Sequence, residues 1–203
     1  MEECQAIERK QRRDAELNKQ KILASACNLF TERGIDVSVN EIAKDANIGV
    51  GTIYRNYPAK SDLFEAAKQT FQLQFITNAQ QYLNVEGDWE AFSGLIHYIL
   101  INNFSNKGTF DAFQNGLCEF FDPEGDLLDL QNILEILLNR VQLKQLVRSD
   151  LDIHILMAIL SGLIMMSAQL DKNKSKDSEI LEMAIKVFER GIAFNSLDFK
   201  RSR

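Results

Sequence analysis

The side chain with the clearest recognition chemistry in this sequence belongs to Arg55, because a guanidinium can donate to both major-groove acceptors of a guanine base. Such a contact contributes about 1–3 kcal/mol of discrimination between bases. A contact with a backbone phosphate is the alternative for the same side chain. Arg55 lies in a run of small and polar residues, 50 to 57, that also contains Thr52, Tyr54 and Asn56. The run predicts a surface for a polar partner, with nucleic acid as the first candidate.

Catalytic or metal chemistry has little support. The two histidines, His97 and His154, have no convincing partner motif for acid–base work. The three cysteines are far apart and lack the spacing of a metal site or a disulfide framework; they are Cys4, Cys27 and Cys118. We therefore predict that the protein is not an enzyme and has no metal or cofactor, and that its thiols stay reduced in the cytoplasm.

Charge is distributed unevenly along the 203 residues. The net charge is −6, but most of the excess acidity follows residue 60, and binding to nucleic acid needs only a local basic surface. Residues 1 to 14 form a predicted basic arm that either lies against phosphates or is a solvated tail; its basic residues are Arg9, Lys10, Arg12 and Arg13. No signal peptide or membrane-spanning stretch is expected, and this also favours a cytoplasmic location.

The elements that must position these residues are helices almost throughout. There are only two prolines, and apolar residues recur at three- and four-residue spacing. We predict an all-α fold of about nine helices with no strand. The first helix is expected from about Ala15 to Arg33 and to end at Gly34. Further helices are expected at 61–81, with Ser61 as its N-cap, and at 88–104, 109–120, 123–146, 150–170 and 176–195.

Residues 38 to 57 predict a helix-turn-helix. Ser38 and Glu41 have the spacing of a capping box that starts its first helix. Asn47 and Gly49 favour a turn, and Pro58 ends the second helix. The inward set is Ile42, Ala43, Ala46, Ile48 and Ile53. The outward set, which would face the major groove, is Val50, Thr52, Tyr54, Arg55 and Asn56.

Over residues 15 to 75 the sequence resembles the TetR family of bacterial regulators. The blocks that carry the resemblance are residues 22–26, 29–34, 41–46, 51–57 and 60–64. The resemblance implies that Ser38, Tyr54 and Lys60 contact phosphates and that residues 49 to 51 (Gly49, Val50 and Gly51) lie closest to DNA. The family often has a polar residue where this chain has Gly49, which provides no side chain for a helix cap or a phosphate contact. Val50 favours contact with a thymine methyl group, and Tyr57 is expected in the core.

Residues 76 to 203 are expected to form a helical domain for ligand binding and dimerisation. The resemblance implies a pocket for a small apolar or aromatic effector. Aromatic residues with His97, Asn103 or Cys118 would line the pocket, although ordinary packing is the alternative for each of them. It also implies a homodimer through the last two helices, with Ile155, Ile159, Gly162, Met166, Met183 and Val187 in the interface.

Together these features predict a ligand-responsive, DNA-binding transcriptional regulator. A dimer with two recognition helices requires a palindromic operator. By the resemblance, the protein is expected to repress transcription until the effector releases it from DNA; activation is the alternative. A DNA-binding or interaction protein whose output is a protein partner is a second alternative.

Overall fold

The computed structural model describes residues 2–105, 127–171 and 173–193. These residues form eight α-helices and one short 3₁₀ helix. The helices are α1 Glu2–Arg33, α2 Val39–Asp45, α3 Val50–Asn56, α4 Lys60–Gln80, the 3₁₀ helix Gln81–Asn84, α5 Asp88–Ser105, α6 Leu127–Leu143, α7 Ile153–Ala168 and α8 Ser175–Ile192. The predicted all-α class is confirmed. The helix predicted at 109–120, the start of the one predicted at 123–146, and Cys118 lie outside the described residues.

The described chain divides into two compact units, residues 2–72 and residues 73–193 with the gaps given above. The change of unit falls within α4, so this helix contributes residues to both. The division predicted after residue 75 falls in the same helix and remains a prediction.

The first helix begins at Glu2, and the start predicted near Ala15 is wrong. Residues 5 to 16 contain neither glycine nor proline and are mostly good helix formers, so nothing in the sequence stops the helix there. They lack an apolar stripe, and apolar periodicity was the signal that placed the start too late. The predicted end at Gly34 is confirmed: this glycine has φ 81°, a left-handed conformation that ends the helix.

The first unit has one apolar core made by α1 to α4. Its buried residues include Ile22, Ala26, Leu29, Phe30, Ile42, Ala43, Ile53, Tyr57, Leu63 and Ala67. Of the five residues predicted to face inward, Ile42, Ala43 and Ile53 are buried, and Ala46 and Ile48 are half-buried. The Phe30 and Phe64 rings meet edge to face, with centroids 5.4 Å apart. This core holds α3 by one side and leaves the other side open.

In the second unit α5 packs against both α6 and α7. Its buried residues Phe92, Leu95, Ile96 and Leu100 meet a matching set on the other two helices, which is Leu134, Leu137, Leu138, Leu156 and Leu160. The Asp152 carboxylate caps α7 by accepting from the Ile155 amide at 2.8 Å. A single antiparallel bridge joins Val147 to Ala193 near the end of α8. None of the described helices combines the length and apolar character needed to span a bilayer.

Candidate DNA-binding interface and effector cleft

The first helix of the predicted helix-turn-helix starts at the capping box that the sequence predicts. The Ser38 Oγ accepts from the Glu41 amide at 3.3 Å, and the Ser38 amide donates to Glu41 Oε2 at 2.9 Å. The Ser38 hydroxyl also donates to Glu41 Oε2 at 2.7 Å. A hydroxyl has one proton, so a phosphate contact by Ser38 requires this last bond to change partner.

Glu41 also joins two neighbouring elements. The Arg33 guanidinium donates to Glu41 Oε1 at 3.0 Å, which ties the end of α1 to the start of α2. Hydrogen bonds from the backbone and hydroxyl of Ser38 hold the pKa of the Glu41 carboxyl below its ordinary value, and the charges of Arg33 and Lys60 act in the same direction. Two basic side chains are thereby gathered at one end of the helix-turn-helix.

The turn between α2 and α3 takes its shape from Asn47, which has φ 54° and therefore lies in the left-handed region that asparagine tolerates. The turn predicted at residues 47 to 49 is present, but Gly49 does not use the conformational freedom of glycine, because its φ of −65° is one that any residue adopts. A Cβ added at Gly49 or at Gly51 would meet no described atom within 4 Å. The packing of the described residues therefore requires neither glycine, and both are exposed.

Helix α3 presents an exposed face that includes Tyr54, which is 48% exposed, and Arg55. Thr52 and Asn56 are half-buried, and the Asn56 Nδ2 donates back to the Thr52 carbonyl at 2.8 Å. Val50 is also half-buried and packs against the core. The predicted outward set therefore divides: Tyr54 and Arg55 point into solvent, and the other three lie at the edge of the helix.

Lys60 begins α4 and is bonded to the turn that precedes α2. Its Nζ donates to the Ile35 carbonyl at 2.5 Å. An ammonium has three donors, so this bond fixes the charge in place and leaves two donors for another acceptor. No sequence signal reveals the contact, because residues 35 and 60 meet only in the folded chain.

The predicted N-cap of α4 at Ser61 is wrong. The helix begins one residue earlier, at Lys60, and the Asp62 carboxylate accepts from the Ala59 amide at 2.9 Å. Asp62 thereby satisfies the backbone amide of Ala59, the residue before the helix, as the acidic residue of a capping box does. Lys60 therefore lies in the first turn of α4, where its side chain reaches the Ile35 carbonyl in the loop before α2.

Comparison with known proteins identifies the first unit. Residues 22–67 match the family described as "Bacterial regulatory proteins, tetR family". Over these residues the chain is similar to this family. An HTH-type transcriptional regulator of Staphylococcus aureus strain USA300 is 35% identical over 107 residues, which are 52% of this chain and 58% of that protein. The matched segment thus spans little more than half the length of these curated relatives.

Solved TetR-family structures share the fold over most of this chain. The crystal structure of a TetR transcriptional regulator from Streptomyces coelicolor has TM-score 0.63 and 25% identity, and the match covers 88% of this chain and 99% of that one. A TetR transcription regulatory protein from Mycobacterium vanbaalenii has TM-score 0.62 and 23% identity, covering 90% and 99%. The matched family is described as regulatory proteins, and the matched relatives as transcriptional regulators.

The second unit contains a cleft of about 540 Å³. Its lining residues are Tyr82, Ser93, Gly94, His97, Tyr98, Ile101, Asn102 and Glu189. The His97 Nε2 lies 3.1 Å from Glu189 Oε1, so one edge of the cleft joins α5 to α8. The Tyr98 ring stacks on Phe75, with centroids 5.1 Å apart, and its hydroxyl accepts from Asn78 at 3.2 Å. The side chains of Asn103 and Cys118 lie outside the described residues.

Gly94 shapes one wall of this cleft. A Cβ at this position would come within 2.7 Å of the Tyr82 ring. The glycine therefore allows the Tyr82 ring to lie directly against the backbone of α5. Tyr82 also lies near Tyr98, with centroids 5.9 Å apart. In the described residues no group of His, Cys, Asp and Glu forms a metal site. The cleft offers aromatic rings, three hydroxyls and the His97–Glu189 pair.

Helices α7 and α8 each carry an exposed apolar stripe. On α7, Ile155 is 45% exposed and Ile159 38% exposed, and Gly162 has open space at its Cβ position. On α8, Met183 and Val187 are 61% and 63% exposed. Two neighbours also belong to the exposed set, Met165 on α7 and Ile180 on α8, whereas Met166 is half-buried.

Proposed function

We propose that this chain is a DNA-binding transcriptional regulator that uses α3 as its recognition helix. The observation that supports the proposal most directly is the exposed surface of α3. Arg55 and Tyr54 project into solvent there, and two glycines at its start, Gly49 and Gly51, leave room for another molecule to approach the backbone. A DNA backbone or base edge fits such a surface, because small residues at a helix start permit close contact in the major groove.

The proposal assigns different roles to Arg55 and Lys60. Arg55 is free to reach base edges, so it contributes sequence preference. Lys60 is held by the Ile35 carbonyl beside Ser38 and Glu41, so it contributes a phosphate contact that positions the helix without selecting a sequence. The remaining assigned contacts are Ser38, Gly49, Val50, Gly51, Thr52, Tyr54 and Asn56.

Selection from a random duplex pool tests these roles. Wild-type protein is expected to enrich one palindromic sequence. Arg55→Ala should relax preference at one or two positions, whereas Lys60→Ala should weaken binding to all sequences and retain the preference. Lys44→Ala is the matched control, because Lys44 is an exposed basic residue on α2 for which no role is assigned. Equal loss of preference in the two test variants would contradict the separation of roles.

We further propose that the regulator acts as a homodimer through the exposed stripes of α7 and α8. Exposed apolar area on two consecutive helices supports the assignment, because burial of such area is the main driving force for association. The assigned residues are Ile155, Ile159, Gly162, Met166, Met183 and Val187. A dimer brings two recognition helices to two half-sites, so the operator is proposed to be a palindrome.

The cleft is the proposed effector site. Tyrosine rings suit a flat apolar or aromatic ligand, and His97 with Glu189 can hydrogen bond to one polar group on it. This pair joins α5 to α8, and α8 carries part of the proposed dimer surface. A ligand that moves the two helices apart therefore changes the position of that surface. The ligand then lowers the affinity for DNA to the extent that it binds the displaced arrangement of these helices more tightly than the original one. Release from the operator is the proposed outcome.

Ligand screening with a blocked cleft tests this second part. Substituted phenols would be screened for an increase in melting temperature and for release of operator DNA. Ile101→Trp fills the cleft and is expected to abolish both effects. Ile136→Trp is the matched control, because Ile136 on α6 is 48% exposed and Ile101 is 47% exposed. A phenol that still binds the Ile101→Trp variant and releases it from operator DNA would contradict this assignment of the cleft.

A further inference from the structure

We propose that the N-terminal part of α1 is a second DNA-contacting surface, in which Arg9, Arg12 and Arg13 bind phosphates that flank the recognition helix. The proposal rests on the proposed DNA binding and extends it to a segment outside the helix-turn-helix.

The three arginines share one face of a continuous helix. A residue advances about 100° around an α-helix, so Arg9 and Arg12 lie within about 40° of Glu16, and Arg13 lies within about 60°. All three are exposed. The acidic residue Asp14 lies on the opposite side, about 160° from Glu16. The helix therefore places three positive charges on one face, with Glu16 as the acidic residue at the C-terminal end of that face and Asp14 on the opposite side.

The same face approaches the end of the recognition helix. Leu23 and Cys27, which follow Glu16 on this face, pack against the core that contains Tyr57. Tyr57 caps the C-terminus of α3, and α1 contacts α3 directly. The negative charge of Glu16 is also among the causes that raise the pKa of Tyr57, after burial and Cys27. The face at Glu16 is thus on the α3 side of α1.

The arginines lie N-terminal to the part of α1 that packs against the core. With a rise of about 1.5 Å per residue, Arg9 is roughly 20 Å from Ile22, the first core residue of α1. This part of α1 buries none of its described side chains, so packing against the core is not what extends the helix there. Each strand of a duplex carries one phosphate per about 3.4 Å of its axis, and arginines three or four residues apart are separated by about 4.5 to 6 Å along α1, so they are spaced on the scale of neighbouring phosphates.

Salt dependence of operator binding tests the surface. The triple variant R9Q/R12Q/R13Q is expected to bind the selected duplex at least about tenfold more weakly at 0.15 M salt. The slope of log affinity against log salt should fall in magnitude by about 2 to 3 per protomer, because each lost phosphate contact removes about 0.9. Base preference from the random pool should not change. A slope equal to that of wild type would overturn the proposal.

Three controls separate phosphate contacts at this surface from a general effect of charge. The variant K174Q/K176Q/K186Q removes three exposed charges from the second unit and should leave the slope unchanged; an equal loss there would show a general charge effect and overturn the proposal. The variant R9K/R12K/R13K should bind as wild type does, because phosphate contacts need charge more than geometry. Shortening the duplex flanks should weaken wild type and not the glutamine variant. Failure of wild type to bind any duplex would instead refute the proposed function.

Discussion

Tyr57 combines a buried ring with a hydroxyl that has no hydrogen-bond partner among the described residues. The sequence-based prediction that this residue belongs to the core is confirmed, since it is 6% exposed. Burial, followed by the charges of Cys27 and Glu16, raises the pKa of the phenol. An unsatisfied buried hydroxyl costs free energy that a phenylalanine ring of the same shape does not.

Tyr57→Phe is therefore expected to leave the stability of the first unit unchanged or to raise it by about 1 kcal/mol. The urea midpoint, followed by circular dichroism, measures the effect. Operator affinity should not change, because the hydroxyl is buried and does not reach the exposed face of α3. Tyr54→Phe is the control: its hydroxyl is on an exposed side chain, so it should leave stability unchanged. Destabilisation of Tyr57→Phe by more than about 1 kcal/mol would show a hydrogen bond to the phenol.

Glu41 gives the helix-turn-helix a pH dependence whose sign is fixed. Hydrogen bonds from Ser38 lower the pKa of the folded carboxyl below the ordinary 4.5. A lowered folded pKa contributes stability that is present above the ordinary value and is lost as pH falls through the folded value. Glu41→Gln keeps an oxygen that can accept from the Ser38 amide and removes the charge.

We expect Glu41→Gln to lower the urea midpoint at neutral pH, and we expect the difference from wild type to shrink as pH falls below 4.5. Glu32→Gln, an exposed carboxylate on α1, is the control and should show no such convergence. A Glu41→Gln deficit that is the same at both ends of the pH range would mean that the hydrogen bond, and not the charge, is what matters.

At the scale of the helices, Arg140 holds α6 to the segment that joins α4 to α5. Its Nε donates to Asp88 Oδ1 at 2.8 Å, and its two terminal nitrogens donate to the carbonyls of Leu83 and Val85 at 3.1 and 3.3 Å. The Arg140 and Asp88 side chains are less than one-third exposed. Three bonds from one planar group to three acceptors need the fork of an arginine.

Arg140→Lys keeps the charge but can satisfy at most part of this set, so we expect a loss of about 1–3 kcal/mol in the free energy of unfolding. Chemical denaturation measures it. Arg148→Lys is the matched control: Arg148 pairs with Asp150 at the surface, where both side chains are at least half exposed, and the loss should be under about 1 kcal/mol. Equal losses in the two variants would indicate that the carbonyl bonds of Arg140 contribute little.

Sequence patterns predicted the helical elements well where a local signal exists. The capping box at Ser38, the left-handed turn at Asn47 and the stop at Gly34 all depend on neighbouring residues, and each is present. The start of α1 was missed because its first turns have no apolar stripe. The contacts of Lys60 with Ile35 and of His97 with Glu189 were also missed, since they join residues distant in sequence and only the packed helices bring them together.

At the scale of the whole molecule, the proposed function requires a chain of net charge −6 to bind a polyanion. Long-range repulsion from the acidic second part weakens DNA binding and makes local basic groups more important. Each proposed DNA contact lies in residues 9 to 60, which contain ten Lys and Arg against six Asp and Glu. Two such surfaces on one dimer would double the number of phosphate contacts without adding basic residues to the chain.

Dimerisation is the property on which this doubling depends, and a charge in the α8 stripe tests it. M183D/V187D places two carboxylates in the proposed interface, where burial without a partner is unfavourable. We expect a monomer by analytical ultracentrifugation and a loss of affinity for palindromic duplex far larger than for a single half-site. Leu143→Asp is the control, because Leu143 on α6 is 84% exposed and outside the stripe, and it should remain dimeric. If M183D/V187D is still a dimer that binds the palindrome as wild type does, the two protomers meet through a different surface, and the apolar stripes of α7 and α8 have a role other than dimerisation.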